Sequence, residues 1–205
     1  MIDFYTWQTS NRQRVAILLE ECGFAYELHK VDLAKGEQRN PEFLRLNPAG
    51  AIPVIVDSDG PGGRPLTLAQ SGAIDLYLAE KAGRFIPADA GRRVSAYQWF
   101  MQALTDCAPS STGIFFSGTL LPDKSPANVA WFEARLTSQF RLADARLAMD
   151  EWLAGELSLA DFALYPIYAV RKALADAAGD MPHLARWGAA LAARPAVAKA
   201  MLAAA

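Results

Sequence analysis

The sequence predicts an α/β domain over residues 1–82, ordered β-α-β-α-β-β-α on a mixed four-stranded sheet, and an all-α helical domain over residues 91–205. Residues 83–90 are the predicted linker. Three observations carry this division. Strand and helix signals alternate along the first part, Pro and Gly break the pattern around Phe85 to Gly91, and only helical apolar spacing follows.

Ile2-Asp3-Phe4-Tyr5-Thr6 reads as a short strand, and Val15, Leu18, Leu19 and Cys22 fall at helical spacing up to a stop at Gly23. Tyr26 to Val31 alternates apolar and polar residues with period two. A strand, helix and strand with a crossover of this length imply a parallel pair. After a short helical stretch at Pro41 to Leu46, Val54-Ile55-Val56 is a β-branched strand. The turn Asp59-Gly60-Pro61-Gly62-Gly63 joins it to Leu66-Thr67-Leu68 as an antiparallel hairpin. A helix from about Ser71 to Lys81, stopped by Gly83, closes the domain.

In the second part Val129, Phe132, Leu136, Phe140, Ala143 and Leu147 form the apolar stripe of one long helix. Ser158-Leu159-Ala160-Asp161 has the layout of a capping box, with Leu157 and Phe162 placed for a hydrophobic staple. Leu184, Trp187 and Leu191 mark another helix, and the alanine-rich tail after Pro195 suits a last one.

Composition excludes several classes of function. Twenty Lys+Arg against 22 Asp+Glu give a formal charge of -2, without the basic surplus through which proteins neutralise nucleic-acid phosphates. Cys22 and Cys107 are far apart and rule out a disulfide framework, while His29 and His183 stand outside any metal-ligand spacing, so no metal is expected. The chain opens directly on a strand and has no apolar run of about 18 residues, which points to a cytoplasmic protein that neither enters membranes nor binds nucleic acid.

Three local features can carry chemistry. Asn47-Pro48-Ala49-Gly50-Ala51-Ile52-Pro53 leads into the Val54 strand; a proline there suggests a sheet edge, with the Ile52 backbone open to an extended peptide and a cis bond at Pro53. The competing reading is a plain loop entering a strand. Gln70-Ser71 sits where the last helix of the first half begins, with Ser71 as N-cap, and a helix N-terminus suits a carboxylate. An ordinary serine cap is the alternative. Trp7-Gln8-Thr9-Ser10-Asn11-Arg12 offers hydroxyl and amide donors at a strand-to-helix turn, able to stabilise an anion or simply to cap the helix.

Taken together, Tyr5 to Asn11, Asn47 to Asp57, Gln70 to Ile74 and Ser158 to Asp161 stand in the order and spacing of cytosolic glutathione S-transferases, which the chain resembles over its full length. It is most similar to the bacterial nu-like group in Met1-Ile2-Asp3, in Thr9 with Asn11, and in the stretch from Val31 to Leu44. The resemblance implies a thioredoxin-like N-terminal domain, a two-fold homodimer and glutathione as cosubstrate. It implies that Ile52, before a cis Pro53, pairs with the cysteinyl part of glutathione, that Gln70 and Ser71 hold the γ-glutamyl group, and that Gln38 reaches the glycine end. By the same register Thr9 or Asn11 donates to the sulfur, with Ser10 a competing donor. Tyr5 stands near where tyrosine-type transferases place their activating residue, yet its alternation with Phe4 assigns it to packing.

A threonine hydroxyl without a base is too weak an acid to be a nucleophile, so the thiolate of glutathione must do the chemistry on an electrophile, disulfide or peroxide. The chain departs from the nu-like pattern at Ser10 and Arg12, where relatives often carry Pro and Gly. The segment from Asp106 to Pro122 lacks a histidine and aromatic cluster, which counts against disulfide reduction. Trp7, Leu104, Phe115, Phe116 and Trp131 are candidates for an acceptor pocket, although aromatics so placed are more often core. Arg135 is a candidate to reach the neighbouring subunit's glutathione. The alternative function is a non-catalytic binding protein on the same fold, since fold does not fix function; a dehalogenase or isomerase would use the same glutathione site.

Overall fold

A computed structural model describes residues 1–202. It contains β1 (Ile2–Thr6), α1 (Ser10–Cys22), β2 (Tyr26–Lys30), α2 (Pro41–Leu46), β3 (Val54–Asp57), β4 (Leu66–Ala69) and α3 (Ser71–Ala82), in the order the sequence predicts. The sheet order is β2-β1-β3-β4. β1 and β2 are parallel, and the other two pairs are antiparallel.

The edge assignment for the Val54 strand does not hold. β3 lies between β1 and β4 and is paired on both sides from Val54 onward. Pro53 is tolerated because it sits one residue before the paired register, where its missing N–H costs no ladder bond. The Ile52–Pro53 peptide is cis.

Helix α1 starts at Thr9, an extended N-cap whose Oγ1 accepts from the Arg12 N–H at 3.1 Å, and ends at Gly23 in the left-handed region. Its residues Val15 to Leu19 are all fully buried. Such all-round burial needs cover on more than one face, and α3 and α10 (Pro195–Leu202) both pack on it. Arg194 grips Glu21 with two bonds of 2.6 and 2.8 Å, and Lys199 meets Glu20 at 2.8 Å. The chain accordingly divides into one compact unit of Met1–Arg84 together with α10, and a second of Phe85–Ala193. The predicted helical domain thus loses its last helix to the sheet domain, because two ion pairs and an α1-facing surface hold that helix there.

The second unit holds α4 (Ala90–Gln102), α5 (Ala108–Phe115), α6 (Pro126–Leu147), α7 (Leu159–Val170), α8 (Lys172–Ala178) and α9 (Pro182–Ala192). Wider π-helical turns at Ala103–Cys107 and Phe116–Leu120 interrupt the run through α4 and α5. The capping box forms as the sequence predicts. Asp161, fully buried, accepts from the Ser158 N–H at 2.9 Å and the Ser158 hydroxyl at 3.1 Å. It also accepts from the Leu153 N–H at 3.1 Å and the Trp187 indole at 2.9 Å, so one carboxylate ties α7 to α9 and to the loop before it. Burial pushes its pKa up, and these four donors pull against that shift.

A second buried carboxylate is less well served. Asp75 on α3 is fully buried, neither oxygen has a hydrogen-bond partner, and burial holds its pKa well above the ordinary carboxylate value, opposed by the nearby Arg14 guanidinium. An acid whose folded pKa is raised binds more protons folded than unfolded, so its contribution to stability is greatest in acid and falls as pH rises above about 4. Asp75→Asn should remove that fall. In urea unfolding from pH 4 to pH 7 the variant is expected to gain on the wild type progressively; parallel pH profiles would contradict the assignment.

Candidate functional site at one end of the sheet

The strand register builds the site. Tyr5 is the partner of Val54, and Val54 in turn of Ala69, which aligns the end of β1, the start of β3 and the end of β4 in one row. Thr6 is paired with Lys30 at the same end of β2. The chain segments that leave this row are Trp7 to Asn11, Ile52-Pro53, Gln70-Ser71 and the stretch after Lys30 that leads to Gln38. Four of the motifs read from sequence therefore gather at one end of the sheet, as the N-termini of α1 and α3 do.

The loop before β3 is held from inside. Asn47, buried, donates from Nδ2 to the Ala51 carbonyl at 2.6 Å and accepts from the Ala49 N–H at 3.2 Å. Gly50 has φ +61°, and a Cβ there would stand 3.1 Å from the Gln38 carbonyl oxygen. This close approach docks the loop against the turn Glu37–Arg39, which carries Gln38. The Gln38 Oε1 is buried and without a hydrogen-bond partner. Asn47 as an internal brace escaped the sequence reading; its side-chain bonds depend on a loop conformation that spacing alone does not reveal.

At the start of α3 the cap differs from the prediction. Gln70, not Ser71, is the N-cap; its backbone takes φ 73° and ψ 110°, and no side chain caps the helix. Ser71 becomes the first helical residue and is 8 % exposed. A non-glycine residue at positive φ costs about 1 to 3 kcal/mol and collects at functional sites. Here the twist leaves the first N–H groups of α3 uncapped by any side chain.

At the start of α1, Thr9 is half-buried and Asn11 exposed. The Thr9 oxygen is occupied as an acceptor by the Arg12 N–H, which leaves its single hydroxyl proton for another partner. Arg12 and Arg14 are 2 % and 1 % exposed, and burial lowers the pKa of Arg12. These guanidinium groups add positive charge to the helix end, a setting that favours an anion.

Tyr5 does not belong to this group. It stacks on His29 at 4.5 Å and packs against Val31, Phe43 and Val54, as its strand alternation predicts. Burial and the charges of Asp3 and Glu27 raise its pKa, the reverse of what an activating phenol needs. Burial pushes the Cys22 thiol up to about 11, so it carries negligible thiolate near neutral pH.

In the helical unit, Phe115, Phe116 and Trp131 are 45 %, 43 % and 59 % exposed, so the expectation that such aromatics are core fails for all three. Leu104 and Trp7 are each half-buried. Arg135, expected to be available to a neighbouring subunit, is held by Asp106 at 2.8 Å and lies over the Trp131 ring.

A four-stranded mixed sheet with a cis-proline loop and two helix N-termini at one end defines a thioredoxin-like class of fold. Comparison with known proteins gives the family. Residues 10–81 match the glutathione S-transferase N-terminal domain, and residues 116–195 match the C-terminal domain. The chain is 36% identical over 205 residues to the disulfide-bond oxidoreductase YfcG of Escherichia coli, covering 98% of this chain and 95% of that one. A glutathione transferase from Pseudomonas putida, solved with one glutathione disulfide per subunit, superposes with a TM-score of 0.90 at 31% identity, covering 98% of this chain and 91% of that one. One from Burkholderia graminis, solved with two glutathione molecules per subunit, gives 0.90 at 34% identity, covering 98% and 88%. The chain belongs to the glutathione S-transferase family.

Gly50→Ala tests the docking of the loop. With a methyl group forced toward the Gln38 carbonyl at positive φ, urea unfolding should show a loss of about 1 to 3 kcal/mol. Wild-type stability would mean that the loop shifts freely.

Proposed function

We propose that the protein is a glutathione-dependent enzyme, a glutathione S-transferase whose acceptors include disulfides. The observation that carries this reading is the row Tyr5, Val54, Ala69, which collects the donor turn, the cis-proline loop and the uncapped α3 N-terminus at one end of the sheet. The names and bound molecules of the relatives support it.

In this reading the Ile52 backbone, just outside the ladder before Pro53, pairs with the cysteinyl main chain of glutathione. Gln70 and Ser71 hold the γ-glutamyl carboxylate at the positive end of α3. The orphan Gln38 Oε1 accepts from the glycyl N–H. Thr9 donates its remaining proton to the sulfur, and Asn11 supplies a second donor.

The magnitudes suffice. A free thiol has a pKa of about 8.5, and lowering it by about two units takes about 2.7 kcal/mol. One hydrogen bond to a charged acceptor contributes about 1.5 to 3 kcal/mol. The thiolate attacks one sulfur of a disulfide and expels the other as a thiolate; a second glutathione then resolves the mixed disulfide. The disulfide-bond oxidoreductase among the relatives favours this acceptor, against the sequence expectation drawn from Asp106 to Pro122. The same reading carries a homodimer, checked by sedimentation at micromolar concentration, and a cytoplasmic location, checked by cell fractionation. Among the described residues no helix is long and apolar enough to cross a membrane.

Parallel turnover of a small disulfide, a model electrophile and an organic peroxide with glutathione tests the activity; no turnover of any of the three would leave a binding protein. Thiolate absorbance tests the roles. Thr9→Ala should raise the pKa of bound glutathione and cut turnover by about one to three decades, while Thr9→Ser retains most of both. Asn11→Ala should add a smaller loss. Equal pKa values in Thr9→Ala and wild type would place the activating donor elsewhere.

A further inference from the structure

On the face of the sheet that carries Tyr5, we propose that Asp3, Glu27 and His29 form a binding site for one divalent transition-metal cation of the zinc class. Sequence spacing hides this group, because its members lie on two strands. Register assembles it: Asp3 is the partner of Glu27, and Tyr5 of His29, two residues further along. Alternation then sends Asp3, Tyr5, Glu27 and His29 to one face.

The ligand atoms of Asp3, Glu27 and His29 lie within 4.8 Å of one another, and His29 Nε2 stands 2.8 Å from Asp3 Oδ1. Two ligands of one zinc ion, each bonded at about 2.0 to 2.2 Å, are separated by about 3 to 4 Å. A small turn of the exposed Glu27 side chain closes the remaining difference. The imidazole is already oriented, since Tyr5 stacks on it at 4.5 Å with only 16° between the planes. A ligand ring fixed in advance loses little freedom on binding.

Electrostatics points the same way. Two carboxylates directly opposite on neighbouring strands repel. Among the described residues no lysine or arginine forms an ion pair with either of them; the only partner is His29 with Asp3. One imidazole and two carboxylates supply the mixed nitrogen and oxygen donors that suit zinc, with water in the fourth position. The cation would join β1 to the edge strand β2. The site uses none of the residues assigned to glutathione, so its test is independent of that assignment.

The test is calorimetric titration of tag-free, glutathione-free protein with zinc, and the optical spectrum with cobalt in its place. One equivalent is expected, with a spectrum of nitrogen and oxygen ligation that excludes the thiolates of Cys22 and Cys107. His29→Ala should weaken binding about tenfold or more, and Glu27→Gln should weaken it to a lesser degree, while His183→Ala leaves it unchanged. His29→Gln, which keeps a polar side chain under Tyr5, guards against a folding defect in the alanine variant. No saturable binding up to millimolar zinc, thiolate ligation in the cobalt spectrum, or wild-type affinity in both His29 variants would overturn the proposal.

Discussion

Backbone pairing across three strands is the constraint on which the rest of this molecule depends. Because Tyr5, Val54 and Ala69 occupy one row, three loops distant in sequence must leave the sheet at the same place. A one-residue slip of β3 would turn its buried residues to the opposite face and move Ile52 along the sheet. Burial prevents that slip: Val54 and Ile55 are fully buried, so each face of β3 is specified by its packing. Asp57 locks the far end of the strand, accepting from the Tyr77 hydroxyl at 2.5 Å and the Lys81 ammonium at 2.7 Å. The geometry of the glutathione site is thus a consequence of core packing, and its loops add only local shape.

The charge distribution around α1 follows from the same packing. A helix buried between α3 and α10 has little room for polar residues, yet it carries Arg12 and Arg14 in its first two turns and Glu20 and Glu21 in its last two. The acidic end is answered by Arg194, immediately before α10, and by Lys199 on it. The basic end faces Asp75, whose carboxyl burial holds well above its ordinary pKa. The Arg12 and Arg14 guanidinium groups stand in the turns that follow Thr9, and their charge adds to the helix dipole there. Cys22, at the opposite and acidic end of α1, gains nothing from this; a thiol brought in at Thr9 does.

Much of this was legible in the sequence because it is local. The β-α-β crossover, the hairpin, the capping box at Ser158 and Asp161 and the motif before β3 are written in spacing and turn residues. What escaped is set by tertiary partners. Pro53 suggested an edge, yet β3 is central, because a proline just outside a ladder and one at an edge strand look alike in sequence. Ser71 looked like an N-cap, but the cap is set by the twisted backbone of Gln70. The alanine-rich tail matched the helical half in pattern and joined the sheet half through ion pairs with Glu20 and Glu21. Phe115, Phe116 and Trp131, pocket candidates whose residue type favours the core, are exposed. Asp3, Glu27 and His29 became neighbours only when the β1–β2 register was known.

The central claim is that one end of the sheet binds glutathione with its sulfur at the start of α1. The most direct measurement is a crystal structure of the protein grown with reduced glutathione. The account predicts the sulfur within hydrogen-bond distance of Thr9 Oγ1, the cysteinyl main chain paired with Ile52, and the γ-glutamyl carboxylate on the first N–H groups of α3. Glutathione bound with its sulfur away from Thr9, or its carboxylate away from Ser71, would contradict it.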